Sequence, residues 1–218
     1  MMLLYAIVPA DAPAPEEHGL AGRRLETIRS ALAAVIVEER PDHPRRSNEE
    51  SRTFVEMICS LATITPLLPV RFPTVLPTRS AVLAELQAHE AAWRRRLTEL
   101  DGLSEVVIRA QWEDPDQEID AASHTSGTSY LLSRAATLQH HEATVAEISE
   151  LVRHLTCQIK VLSSQQGIRI ACLVANADVP QLKDAILGWQ QARDDRQMVV
   201  GGPWPPFSFV VDQEAVNA

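Results

Sequence analysis

Residues 65–78 read TPLLPVRFPTVLPT, an apolar segment that contains four prolines and one charge. Each proline fixes φ, lacks an N–H and favours extended geometry in the residue before it, so the segment cannot be helical. It predicts strand structure near the edge of a sheet. The single charge is Arg71, whose guanidinium must reach water or a partner. Arg71 is therefore either an edge-strand residue that limits aggregation or pairs with an acid, or an anchor for a partner protein.

The composition is that of an acidic protein with ordinary hydrophobic content. The chain has 218 residues, of which 45% are hydrophobic, and a formal net charge of -9. This length suffices for one large or two modest domains. The acidic balance argues against nucleic acid as a partner, because a phosphate backbone requires a concentrated basic surface. No apolar run approaches the roughly 18 residues that cross a bilayer, so we expect a soluble protein without a membrane partner.

Three cysteines, Cys59, Cys157 and Cys172, lie in or beside apolar runs and lack the spacing of a metal site. An odd count of this kind predicts buried, reduced thiols in a reducing cytoplasm and no disulfide framework.

The first half of the chain predicts strands at residues 3–8, 23–28 and 32–37, followed by two helices. Ser47 or Asn48 can cap the first helix, and Thr78 can cap the second, which runs to about residue 100. The apolar face of the second helix consists of Val82, Leu86, Trp93, Leu97 and Leu100. Its last turns carry Arg94, Arg95 and Arg96, which form either a solvated face or a site for an anionic ligand.

The second half predicts strand, helix, hairpin, helix and strand, which is the ferredoxin-like order. The predicted elements are a strand at 105–112, an acidic linker at 113–126, a helix at 128–155, strands at 158–162 and 168–174, a helix at 180–189, and a last strand from 198–200 with 207–211. The apolar seam of helix 128–155 favours pairing with helix 78–100.

The predicted fold class is α+β with two domains. Residues 1–100 form a mixed, modified ferredoxin-like domain that ends in a long helix. Residues 101–218 form a ferredoxin-like domain in which long paired helices resemble a coiled coil.

No constellation in the sequence supports catalysis. His140, His141 and Glu142 come nearest to a metal cluster, but a helix directs adjacent histidines about 100° apart, and neither has a second histidine four residues later. Phosphate-binding loops and nucleophile elbows are also missing from the sequence. We therefore expect no enzyme activity, no metal and no cofactor.

The segment GPWPPF, residues 202–207, combines three prolines with two large aromatic side chains. Such a stiff segment exposes or buries a large apolar area at little entropic cost, so Trp204 and Phe207 suit either a core plug or a binding ridge.

Three motifs in order resemble the gas vesicle protein L/F family across nearly the whole chain. They are LPVRF at 68–72, SGTSYLL at 126–132 and GPWPPFSFV at 202–210. The chain departs from the family pattern at Pro73 in place of glycine, Ser126 in place of proline and Phe207 in place of tyrosine.

The resemblance implies an accessory or minor structural protein of gas vesicle assembly. Such a protein contacts the small hydrophobic shell protein during nucleation or growth, with other accessory proteins as further partners, in the cytoplasm at the vesicle. Arg71, Phe72, Trp204 and Phe207 are the partner-binding residues that the matched motifs indicate. The alternative is a small-ligand-binding or enzymatic ferredoxin-like protein with a cleft between its halves.

Overall fold

Two four-stranded sheets organise the chain. The computed structural model describes residues 1–111, 139, 142–162, 168–192 and 197–210. The strands are β1 (Met2–Pro9), β2 (Glu26–Arg29), β3 (Ala33–Glu39), β4 (Leu68–Leu76), β5 (Leu103–Gln111), β6 (Thr156–Val161), β7 (Ile168–Ala175) and β8 (Gln197–Trp204). The helices are α1 (Asn48–Ala62), α2 (Arg79–Leu100), α3, described over residues 142–152, and α4 (Val179–Gln191). These elements confirm the α+β class.

The elements fall into two compact units. The first unit contains Met1–Leu103 together with the segment that begins at Trp204, and the second contains Ser104–Pro203. The predicted boundary between residues 100 and 101 stays a prediction, because compactness does not establish that either part folds alone.

The first sheet has the strand order β2-β3-β1-β4, with each described pair antiparallel. Every side chain from Met2 to Val8 of the central strand β1 is buried, although successive side chains point to opposite faces. Both faces of the sheet therefore need cover. Helix α1 packs Phe54 and Ile58 against one apolar cluster, while α2 contacts all four strands.

The predicted helix caps are confirmed. Ser47 Oγ accepts a hydrogen bond from the Glu50 N–H at 3.1 Å, and Thr78 Oγ1 accepts one from the Ala81 N–H at 3.2 Å. Both satisfy backbone donors that the first turn of a helix leaves without partners. At the other end of α2, Gly102 adopts a φ of 72°, which is strained for residues with a Cβ.

A buried carboxylate holds the long connection between β1 and β2. Glu38 on β3 is fully buried and accepts hydrogen bonds from the Tyr5 hydroxyl at 3.0 Å and the Ala21 N–H at 2.8 Å. Gly19 lies so close that an added Cβ would sit 2.3 Å from the Glu38 carboxyl carbon. The loop is thus fixed by one side chain from a distant strand.

The second unit contains β5, α3, β6, β7, α4 and β8 in chain order, and its sheet has the order β6-β7-β5-β8. This sequence of elements confirms the predicted strand, helix, hairpin strands, helix and strand. The antiparallel pairing of β6 with β7 is also confirmed. Ile148 and Val152 of α3 join a buried cluster with Ile108 and Ile170, so these seam residues are covered by strands of their own unit. Much of the predicted helix 128–155, like the linker 113–126, lies outside the described residues, and pairing with helix 78–100 stays a prediction.

The last predicted strand, 207–211, is wrong over residues 207–210, and residue 211 lies outside the described residues. Strand β8 ends at Trp204, and Phe207–Phe209 form a 3-10 turn. Pro205 and Pro206 have no N–H to donate to a sheet, whereas their carbonyls accept from the N–H groups of Phe207 at 2.7 Å and Phe209 at 3.0 Å.

Candidate partner-binding site

Arg71 lies where the edge strand β4 departs from its neighbour. Leu4 pairs with Thr74 and Ala6 pairs with Pro69, so four residues of β4 lie opposite Tyr5 alone. Extra residues of this kind redirect side chains at a sheet edge. The Thr74 hydroxyl donates to the Arg71 carbonyl at 2.6 Å and closes the local turn. Arg71 itself is exposed.

The described part of the chain supplies neither a salt bridge nor a hydrogen bond to the Arg71 guanidinium. The acid pairing considered from the sequence is therefore not observed there. Phe72, the next residue, instead turns toward the core, and its ring centroid lies 4.8 Å from that of Phe54. The two adjacent motif residues thus differ: Arg71 is exposed to solvent, and Phe72 packs β4 against α1.

A second arginine shares a cleft with Arg71. We call this the arginine cleft; it has a volume of about 420 Å³ and is lined by Arg46, Ser51, Arg71, Phe72 and Pro73. Arg46 is exposed and directly precedes the helix cap Ser47. Sequence reasoning missed Arg46. Its only local signal is an arginine pair before a helix cap, which is ordinary for a polar loop.

The structure places the two aromatic residues of the GPWPPF segment in different environments. Trp204 is 40% exposed, while Pro205 and Pro206 are buried. Phe207 packs against the first-unit core, and the turn Phe207–Phe209 contacts β4. The segment therefore has an exposed aromatic residue at its start and a core contact at its end, and it lies beside the strand that carries Arg71.

Arg96 is not part of a solvated cationic face. Its Nε donates to the Phe209 carbonyl at 3.1 Å, and its second terminal nitrogen bonds to the same oxygen. The other terminal nitrogen lies 2.8 Å from the Glu99 carboxylate. No local sequence pattern predicts that Arg96 holds the Phe207–Phe209 turn, because Arg96 and Phe209 are 113 positions apart in the chain.

The prediction of three buried cysteines is wrong for Cys157, which is exposed on β6, and Cys59 is only partly buried. Cys157 lies on the edge strand β6 at the register shift between Thr156 and Gln158, where Cys157 and Gln158 are both exposed whatever the apolar character of their neighbours. Cys172 on β7 is buried, and burial, with a smaller contribution from Glu105, raises the pKa of its thiol to about 12.

Cys157 should therefore react with maleimide at pH 8 much faster than Cys172 in the folded protein. The thiolate is the reacting species, and Cys172 is both inaccessible and protonated at that pH. Mass spectrometry of peptides after brief labelling would show which of the two thiols reacts first. Cys157→Ser should remove the fast phase, and a fast phase that persists in this variant would contradict the assignment.

No group of three or more metal-ligating side chains occurs among the described residues, although His140 and His141 lie outside them. Within the same residues, none of the helices has the length and hydropathy needed to cross a membrane.

Comparison with known proteins gives concordant matches. The family model described as "Gas vesicle synthesis protein GvpL/GvpF" matches residues 1–211. Gas vesicle protein L of Streptomyces sp. (strain CB03234) is 25% identical over 247 residues, covering 96% of this chain and 92% of the relative. Gas vesicle protein F of the same strain is 24% identical over 238 residues, covering 95% and 98%.

Two crystal structures show the same fold. Gas vesicle protein GvpF from Microcystis aeruginosa superposes with a TM-score of 0.80 at 16% identity, covering 97% of this chain and 99% of that chain. Gas vesicle protein GvpF from Anabaena sp. PCC7120 gives a TM-score of 0.81 at 16% identity, covering 97% and 96%.

Proposed function

The chain belongs to the gas vesicle synthesis protein GvpL/GvpF family, and from this premise we propose that it contacts the hydrophobic shell protein during vesicle nucleation or growth. It acts as an accessory or minor structural protein of assembly. It works by binding rather than by catalysis, and it resides in the cytoplasm at the vesicle, where other accessory proteins are further partners.

The observation that carries this proposal is the exposure of Trp204 within a family motif. Burial of the large indole side chain is strongly favourable. If Trp204 served only the folding of the chain, it would be expected to be less exposed than the observed 40%. Tryptophan is also among the residues that contribute most to binding at protein interfaces. A shell protein that is hydrophobic supplies the matching surface.

The proposed site contains Arg71, Phe72, Trp204 and Phe207. Arg71 and Trp204 supply the exposed contacts, whereas Phe72 and Phe207 pack on the core of the first unit and hold the exposed residues in place. Support for treating them as one site comes from the contact between β4 and the Phe207–Phe209 turn.

We also propose the finer fold assignment. The strand order of the second sheet and its chain order of elements are those of a ferredoxin-like domain. In the first sheet the same order occurs, but the segment between β1 and β2 has no helix, which makes that domain a modified version. The domains proposed are residues 1–100 and 101–218.

Trp204→Ala should reduce capture of co-expressed shell protein by about thirtyfold or more, because truncation of a central interface tryptophan costs about 2 kcal/mol or more. The measurement is a pull-down from cells that express the tagged chain with the shell protein, quantified over a range of expression levels. Thermal unfolding of the purified variant would verify that it remains folded.

Ile64→Ala is the matched control, since Ile64 is a 52% exposed apolar residue of the same unit outside the family motifs. Its capture should equal that of the wild type. If the folded Trp204→Ala variant captured as much shell protein as the wild type, the proposed contact between Trp204 and the shell protein would be rejected.

A further inference from the structure

We propose that the arginine cleft binds an acidic segment of the partner protein, with Arg46 acting beside Arg71 as a second recognition residue. The inference rests on the proposed function, since it specifies how the partner is held. It adds Arg46, which lies outside the family motifs identified in the sequence, and it specifies the chemistry of the partner as a carboxylate side chain.

The first argument is charge. The chain carries 29 acidic and 20 basic residues, yet the described residues place no carboxylate on either guanidinium of the cleft. Several other described arginines do have carboxylate partners, for example Arg79 with Glu26 at 2.6 Å and Arg153 with Glu150 at 2.8 Å. Two like charges that line one cleft repel each other, and an incoming carboxylate would relieve that repulsion.

The second argument is preorganisation. The Arg71 backbone is fixed by the Thr74 hydroxyl, and the adjacent Phe72 ring is packed on Phe54. Arg46 precedes Ser47, whose side chain caps α1. The backbones that carry the two guanidiniums are therefore held before a partner arrives, so binding needs to order only the side chains. Planar guanidinium groups then match the two oxygens of a carboxylate.

The third argument distinguishes side-chain recognition from strand addition. Strand β4 ends the sheet order, so its outer edge has no neighbouring strand in that sheet. Pro69 and Pro73 lie within it, and residues without an N–H cannot support continuous pairing with an added strand. Ser51 adds no free donor in the described arrangement, because its hydroxyl donates to the Ser47 carbonyl at 2.8 Å. The two guanidiniums are thus the polar groups available for recognition.

The fourth argument concerns the class of partner. A net charge of -9 opposes the approach of a nucleic acid backbone, whereas one acidic side chain can enter a local basic cleft. Phe72 and Pro73 provide an apolar surface beside the cations. That surface suits the methylene groups of Asp or Glu and the apolar neighbours found in a protein segment.

The test uses the full-length chain and a short fluorescein-labelled peptide in which Glu alternates with Ala, with both ends capped. Fluorescence anisotropy should show binding that weakens as salt is added. Arg46→Gln and Arg71→Gln should each raise Kd about tenfold or more, since hydrogen bonds to charged groups have this magnitude. Arg71→Lys should be intermediate, because it retains the charge and loses the planar fork.

Arg153→Gln is the matched control, since it removes the same charge from an arginine that is 74% exposed in the other unit. Its Kd should stay within about twofold of the wild type. Melting temperatures of Arg46→Gln and Arg71→Gln should be unchanged, because neither loses a partner within the described structure. Unchanged peptide binding by the Arg46→Gln, Arg71→Gln double variant, or equal binding of a Gln–Ala peptide, would overturn the inference.

Capture of the shell protein separates this inference from the function it rests on. If the wild type captures shell protein and the double variant captures it equally, the cleft does not hold the partner, and the proposed function stands without it. If the acidic peptide binds in an arginine-dependent manner while shell protein is not captured, the shell contact fails. The cleft would then serve a different acidic protein of the assembly.

Discussion

Replacing Glu38 with alanine is expected to lower the free energy of unfolding by about 3–5 kcal/mol, because it removes one partner from a buried ionic network. The Arg40 side chain is only 9% exposed, and Glu38 lies 3.9 Å from it. Removing Glu38 would leave Glu50, at 3.7 Å, as the carboxylate paired with Arg40 in the described structure. The Tyr5 hydroxyl would also lose its acceptor, and the Ala21 N–H would lose its own.

Urea unfolding followed by circular dichroism would measure this loss as a shift of the midpoint. Glu39→Ala is the control, since Glu39 is the adjacent glutamate on β3 and is exposed. Its free energy of unfolding should stay within about 0.5 kcal/mol of the wild type. Glu38→Gln should fall between the two, because it retains an acceptor and loses the charge. Equal midpoints for Glu38→Ala and Glu39→Ala would show that the network does not stabilise the fold.

Phe54→Ala is expected to cost about 3–5 kcal/mol, the range for truncating a buried phenylalanine. Phe54 is 1% exposed, and its ring lies between two others, 5.0 Å from Tyr5 and 4.8 Å from Phe72. Its removal leaves a cavity between α1 and the first sheet. Since Phe72 fixes the strand beside Arg71, the acidic peptide should also bind the folded variant more weakly.

Val55→Ala provides the comparison, because Val55 neighbours Phe54 on α1 and is 37% exposed. The same urea measurement should give a much smaller loss for Val55→Ala than for Phe54→Ala. Similar losses would mean that the ring stack contributes little beyond the general packing of the helix.

The family motifs serve both the core and the surface. In LPVRF, Phe72 packs inward while Arg71 is exposed, and in GPWPPFSFV, Phe209 is fully buried while Trp204 is not. A motif of this kind positions its exposed residues through its buried ones. Substitutions at Phe72 or Phe207 are therefore expected to alter stability and binding together. Substitutions at Arg71 should weaken binding and leave stability unchanged.

The sequence by itself determined the elements whose causes are local. Proline geometry placed 65–78 at a sheet edge, Ser47 and Thr78 fixed the helix starts, and apolar periodicity identified α1, α2 and most strands. These signals succeed because dihedral restriction, capping and face periodicity involve residues only a few positions apart. The local pattern failed where two consecutive prolines ended β8 and where an apolar neighbourhood concealed the exposure of Cys157.

Only the tertiary structure decided which distant side chains meet. Arg46 joins Arg71 in one cleft, Glu38 holds the loop around Gly19, and Arg96 binds the carbonyl of Phe209. None of these pairs shares a local pattern, because each depends on the sheet order and helix packing that bring remote segments together. The separation of exposed Trp204 from inward-packed Phe207 likewise depends on the core that Phe207 meets, which the segment GPWPPF does not itself encode.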